Sequence, residues 1–206
     1  PLRLGFAFHT PTYYNLDSEF DTEMTTDFRT TPPGAQAGDL KFRDKPRDLS
    51  LSEYNVTSPL KMIFSGAFQN EFGLLSMDFE YVDYSASKIR SDGDSFSDIN
   101  EVIQNNYRQT FNFKVGGEIK LDEFAIRGGY GYYGSPFYSG HMNKNADTQS
   151  YSFGVGYRGE SMFIDLGYIA FNTKSKYRLY SGESFDAISD IDTKLNRFVL
   201  TVGFKF

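Results

Sequence analysis

The sequence predicts an all-β protein, specifically a transmembrane antiparallel β-barrel of the outer-membrane kind. Three observations predict it. Eight segments alternate apolar and polar residues with the period of two that a strand imposes. The connections between them run long, short, long, short, long, short, long, as in bacterial outer-membrane barrels with short periplasmic turns and long outer loops. The composition is rich in Phe, Tyr and Gly, with 21, 15 and 19 of 206 residues, which suits aromatic girdles at both membrane interfaces.

Composition bounds the rest. Hydrophobic residues make up 39% of the chain, and the mean hydropathy is −0.47. No run approaches the roughly 18 apolar residues of a membrane helix, but alternating strands average to neutral hydropathy and are not excluded. Cys is absent, which removes disulfides, thiolate catalysis and Cys-ligated zinc. A net charge of −6 without a basic cluster argues against a nucleic-acid binder. The chain begins at Pro1 with neither Met nor signal peptide. Either processing removed the start or the chain is part of a longer protein.

Each element has its own signal. Leu2–Thr10 puts Leu2, Leu4, Phe6 and Phe8 on one face, and Arg3, Gly5, Ala7 and His9 on the other. The polar, acidic, Pro-containing stretch Pro11–Asn55 reads as one long outer loop. Ser58–Gln69 turns at Asn70–Gly73 into Leu74–Ser85. The outward residues of this pair are Leu60, Met62, Phe64 and Phe68, then Leu75, Met77, Phe79 and Tyr81. A polar loop, Ala86–Asn106, follows. Tyr107–Lys120 turns at Leu121–Glu123 into Phe124–Tyr133. After a loop from Gly134 to Thr148, Gln149–Arg158 turns at Gly159-Glu160 into Met162–Tyr177. A last loop, Arg178–Lys194, leads to Asn196–Phe206. That final strand carries Phe198, Leu200, Val202, Phe204 and Phe206 on its outward face.

The inward face is small and charged. It holds Gly5, Ala7, Ser65, Ala67, Gly116, Gly129, Gly131, Gly154, Gly156, Gly167 and Gly203. An eight-stranded barrel has an interior just wide enough for side chains to fill, so this many small residues would leave it underpacked. A ligand or plug fills the space, or the strands belong to a wider barrel; the second is favoured. Inward cations are Arg3, Lys61, Lys114, Lys120, Arg127, Arg158, Arg197 and Lys205, against the carboxylates Asp78, Glu80, Glu118 and Asp165. Among them stand the apolar Ile63, Leu74, Phe163, Ile169, Phe171 and Val199. A water-filled pore has no use for these; a conduit for amphipathic molecules does.

Several blocks resemble a known family. Leu2-Arg3-Leu4-Gly5-Phe6-Ala7-Phe8-His9-Thr10, Ser58-Pro59-Leu60-Lys61-Met62-Ile63-Phe64-Ser65-Gly66, and Ala125-Ile126-Arg127-Gly128-Gly129-Tyr130-Gly131-Tyr132 with Ser135-Pro136 occur in this order before an aromatic carboxy-terminal ending. They look like strands of the FadL/TodX outer-membrane transporters of long-chain fatty acids and other hydrophobic compounds. The resemblance spans the chain and corresponds to about the last eight strands of a family fold with fourteen. It implies that residues 1–206 are the carboxy-terminal portion of a single β-barrel domain, lacking six amino-terminal strands and a plug-like hatch. It also implies an outer-membrane location in a Gram-negative bacterium. The expected function is passive uptake of a hydrophobic or amphipathic small molecule, with outer-membrane lipids as surroundings, by a monomer or a subunit of a larger membrane complex. By strand order, Pro11–Asn55 would be an outer loop helping to form a capture groove. Tyr13, Tyr14, Leu16, Phe20, Met24, Phe28 and Leu40 are its apolar residues, although this stretch is unusually long, acidic and Pro-rich.

The candidate lumenal ligand residues are Lys61, Ile63, Lys114, Arg127, Phe163, Ile169, Phe171 and Val199. Arg127 either binds a substrate carboxylate or closes an ion pair, with Asp165 as a candidate; the pair is the commoner arrangement, and Lys114 faces the same choice. Asp92, Asp94 and Asp98 lack EF-hand spacing and read as a solvated turn rather than a metal site. His9 and His141 have no nucleophile motif beside them, so no catalytic residue, enzyme activity or cofactor is expected. Two other classes compete: an accessory barrel subunit of a larger outer-membrane assembly, and a soluble lipocalin-like carrier with its apolar face inward.

Overall fold

The computed structural model describes residues 1–27, 30, 33–34, 36, 41–93, 95–181 and 186–204. In chain order the strands are β1 Leu2–His9, β2 Tyr13–Asp27, β3 Lys41–Thr57, β4 Lys61–Gln69, β5 Gly73–Asp83, β6 Lys88–Arg90, β7 Gln109–Leu121, β8 Phe124–Tyr133, β9 Thr148–Arg158, β10 Met162–Ser181 and β11 Asp186–Phe204. One helix, α1, spans Ser97–Asn106 between β6 and β7. Eight strands form one antiparallel sheet in the order β1-β4-β5-β7-β8-β9-β10-β11, and β2, β3 and β6 form a second. All eight expected strands are present, so the antiparallel all-β expectation is borne out. Among the described residues, β1 and β11 are the two edges of the large sheet, and no ladder joins them.

Alternation dictates the faces. Leu4 is 79% exposed and Phe198 77%, and the Phe, Tyr, Leu and Met residues of their face are exposed along most of the sheet. The rings pair across strands: Phe6 with Phe64 at 4.9 Å, Phe79 with Phe111 at 5.1 Å, Tyr130 with Tyr151 at 5.3 Å, and Tyr168 with Phe198 at 4.9 Å between centroids. Each such pair contributes about 0.2–1 kcal/mol. Buried apolar residues are confined, among the described ones, to Val82 and Ala125. The sheet is therefore held by its ladders and its side-chain pairs, without an apolar interior.

The short turns are built locally. The Asn70 side-chain oxygen accepts from the backbone N–H groups of Phe72 and Gly73, each at 3.0 Å, while Asn70 N–H donates to the Gly73 carbonyl at 3.0 Å. Asp122 takes the left-handed φ of 52° that the β7–β8 turn requires, a conformation Asp tolerates. Gly73 is required by close approach, because a Cβ there would run into the Glu118 carbonyl oxygen. Gly73→Ala is expected to lower stability by about 1–3 kcal/mol through overpacking, read as a shift of the denaturant midpoint.

The long connections differ from expectation. Within Pro11–Asn55, residues Tyr13–Asp27 and those from Lys41 on are strand rather than loop: β2 and β3 pair from Tyr13↔Thr57 through Phe20↔Ser50, and with shifts in register on to Asp27↔Lys41. The register of β1 on β4 ends at His9↔Lys61 and continues unbroken on the far side at Tyr13↔Thr57, which places Pro11 opposite Pro59. Neither proline can donate to a ladder, so one long hairpin is interrupted there. Thr12 and Ser58 restart it, with Ser58 N–H donating to the Thr12 carbonyl and Thr12 N–H to the Ser58 hydroxyl, both at 2.9 Å. Arg178–Lys194, expected as a loop, is mostly strand. β10 pairs with β9 only to Thr173↔Thr148 but with β11 to Ser181↔Asp186, so Lys174–Ser181 projects roughly 25 Å at about 3.3 Å per residue. By strand alternation both ribbons leave the sheet at its long-connection end.

The segment expected as the polar loop Ala86–Asn106 contains β6 and α1. Asp83 caps the turn before it, its carboxylate accepting from Ser85 N–H at 3.1 Å and from the Ser85 hydroxyl at 2.5 Å. The adjoining Tyr84 phenol is pushed up, first by burial and then by the charge of Glu80. The Asn100 side-chain amide brackets Ile89, accepting from its N–H and donating to its carbonyl, each at 2.8 Å. Asn143 does the same to Lys176, at 2.6 and 3.0 Å. Each amide supplies one rung of a ladder where no strand is available.

Candidate functional site: a trough across the sheet

The face opposite the aromatic one is a trough of about 670 Å³, lined by residues of β5 and β7–β11. Register explains its membership. Facing residues across consecutive strands run Asp78, Lys114, Gly131, Ser150, Phe171 in one row, and Glu118, Arg127, Gly154, Gly167, Val199 in another. Gly and Ser in successive strands keep the floor low, and the larger side chains stand around it.

The charged end is an ion-pair chain. Arg127 Nε donates to Glu118 Oε2 at 2.6 Å, and its Nη1 to Asp165 Oδ1 at 2.6 Å. Arg158 Nη2 reaches the other Asp165 oxygen at 2.8 Å. Gly156 makes this possible, since a Cβ there would crowd Asp165 Oδ1 and the Arg127 guanidinium. Two more inward carboxylates are engaged: the Ser65 hydroxyl donates to Asp78 at 2.6 Å, and the Asn112 amide to Glu80 at 2.5 Å. Arg127 thus takes the ion-pair option, with Glu118 as a second partner that sequence reasoning did not name.

Lys114 is placed differently. Its ammonium lies 5.6 Å from the centre of the Tyr133 ring and, among the described residues, makes no ion pair. An aromatic face attracts a cation without neutralising it. Ile169, Phe171 and Val199 line the same trough.

Of the expected lumenal set, the trough therefore gathers Lys114, Arg127, Ile169, Phe171 and Val199. Lys61 and Ile63 share its face on β4 but do not line it, and neither does Phe163. The Phe163 ring lies over Gly203, whose missing side chain makes room for it, and the Arg158 guanidinium sits 5.0 Å from that ring. Tyr133, Ser150 and Ser152 also line the trough, and sequence reasoning missed them. For Tyr133 the parity set by Arg127, Gly129 and Gly131 was signal enough.

The expected capture residues whose side chains the structure describes, Tyr13, Tyr14, Leu16 and Met24, lie along β2 and are exposed. By strand alternation Tyr14 and Leu16 share one face of the ribbon, opposite Val56 and Tyr54 of β3, and Tyr13 lies on the other face. Phe28 and Leu40 lie outside the described residues, as does the side chain of Phe20. His9 faces Lys61 across β1–β4. His141 stacks on Phe137 with centroids 4.3 Å apart, and its Nδ1 accepts from Asn143 N–H at 3.0 Å. Asp98 stands in the first turn of α1, and Asp94 lies outside the described residues. No protein-family model matches the chain, and no curated protein matches it.

Proposed function

We propose that this chain forms part of the wall of an outer-membrane β-barrel of FadL-like type, and that it passively conducts long-chain fatty acids or other hydrophobic or amphipathic small molecules. The observation that carries the reading is the distribution of residues: aromatic and aliphatic side chains cover the exposed face, while the trough combines small residues and ion pairs with the apolar Ile169, Phe171 and Val199. A soluble carrier of lipocalin type would not leave a continuous aromatic and aliphatic face in water. Hydrocarbon surroundings stabilise the exposed face at roughly 25 cal/mol per Å² of apolar area taken from water.

Within the trough, Ile169, Phe171 and Val199 hold the apolar tail of the ligand, and Lys114 attracts its carboxylate. Arg127 is engaged by two carboxylates and serves as structure. In hydrocarbon an unpaired sheet edge is untenable, so on this reading β1 and β11 each pair with a further strand, completing a barrel wider than eight strands. That requirement also accommodates the accessory-subunit reading, in which the partner strands come from another protein.

The test is displacement of a fluorescent fatty acid from the purified protein in neutral detergent. Lys114→Gln is expected to weaken binding about tenfold, the equivalent of roughly 1.4 kcal/mol, while Lys120→Gln, off the trough, leaves it unchanged. Absence of binding by the unaltered protein, or equal loss in both variants, would sink the transport reading.

A further inference from the structure

A second, smaller cavity lies at the long-connection rim, between the start of β7, the end of β8 and the segment 134–147. It measures about 310 Å³ and is lined by Arg108, Thr110, Phe111, Tyr132, Gly134, Ser135, Lys144, Asn145 and Asp147. It shares no lining residue with the trough. We propose that this cavity is a binding site for a phosphate ester.

Three observations converge on that chemistry. Two cations, Arg108 and Lys144, border one small cavity, and among the described residues neither makes an ion pair, although Asp147 lines the same walls. The Thr110 hydroxyl is a second and independent sign. Thr110 is only 6% exposed, and among the described residues its side chain has no hydrogen-bond partner. Among the described residues no side-chain oxygen or nitrogen is both fully shielded and unpartnered, so this hydroxyl is open to the solvent of the cavity and available to a ligand. It faces the space left by Gly134, where a Cβ would collide with Thr110 Oγ1.

The number of donors selects the ligand class. Arg108, Lys144, Thr110 and Asn145, all lining one cavity, carry four separate donor groups. A carboxylate with two oxygens cannot use them all; a phosphate group with three or four can, and a planar guanidinium meets it bidentately. Asp147 opposes a bare anion but accepts from a hydroxyl on the ester's alcohol, which favours a hydroxylated phosphate ester. The local geometry is fixed independently of any ligand: the Ser135 hydroxyl donates to the Asn143 carbonyl at 2.8 Å, and Gly134 N–H to the Phe111 carbonyl at 3.2 Å.

The same chemistry comes from a lipid headgroup or from a soluble phosphate, and the experiment separates them. The full chain in neutral detergent is titrated with glycerol 3-phosphate, and in parallel its association with phosphatidylglycerol-containing vesicles is compared with pure phosphatidylcholine vesicles. Arg108→Gln/Lys144→Gln is expected to lose at least about tenfold in the arm that binds, and the near-isosteric Thr110→Val several-fold. Strand content by circular dichroism confirms that each variant is folded. Glycerol 3-phosphate binding identifies a soluble ester, and binding confined to the anionic vesicles a lipid headgroup. Should the double variant not fold, Thr110→Val decides alone. Failure of both probes to bind, or binding that Thr110→Val leaves unchanged, overturns the proposal.

Discussion

Phe79→Arg is expected to cost about 2–4 kcal/mol in a lipid bilayer, the range for a cation placed on the lipid face of a barrel near its midplane. Phe79 sits in the middle of β5, faces Phe64 and Phe113 across the neighbouring strands, and stacks on Phe111. A guanidinium there would stand among the rings of Phe64, Phe111 and Phe113. The Glu71→Arg control, in the β4–β5 turn and exposed, is expected to change stability by no more than about 0.5 kcal/mol. Both are read from denaturant-induced unfolding in vesicles. Equal effects would mean that the aromatic face does not meet lipid, and the barrel reading would fall with it.

The second large effect is expected at Arg127. Arg127→Met removes the donor shared by Glu118 and Asp165, leaving Glu118 without an ionic partner and Asp165 with Arg158 alone. The three side chains are partly screened, with 19–33% of their surface exposed. The cost is therefore nearer a lost charged hydrogen bond, about 1.5–3 kcal/mol, than the 3–5 kcal/mol of a fully buried pair. Adding Glu118→Gln to Arg127→Met should recover part of the loss, because it removes the stranded charge. Its failure to recover any, in a double-mutant cycle of unfolding free energies, would show that Glu118 is solvated independently of Arg127.

Where one face of the sheet meets side chains and the other does not, the sequence was legible. The eight strands of the large sheet announce themselves by alternation, and parity puts Arg127 and Asp165 on one face, which made their pairing a candidate. The ribbons did not announce themselves. Tyr13–Asp27 and Lys174–Ser181 have both faces exposed along most of their length, so neither face selects for apolar residues and the period of two fades. The helix α1 carried a faint signal, Ile99, Val102 and Ile103 at helical spacing, within an otherwise polar run. The phosphate-site candidates were beyond sequence reasoning for another reason. Arg108, Thr110, Gly134 and Lys144 become neighbours only when a β8 rim and a loop fold back over the start of β7.

The paired prolines have a kinetic consequence. Without the β2–β3 ribbon, β1 would have to find β4 across an unstructured 10–60 segment, and loop-closure entropy would oppose every correct register and favour none. A ribbon in the same register converts that search into zippering: pairing that starts between β2 and β3 advances toward the sheet and delivers His9 to Lys61 already aligned. Pro11 and Pro59 then act as a stop in that zipper, separating the nucleating ribbon from the wall whose alignment it sets.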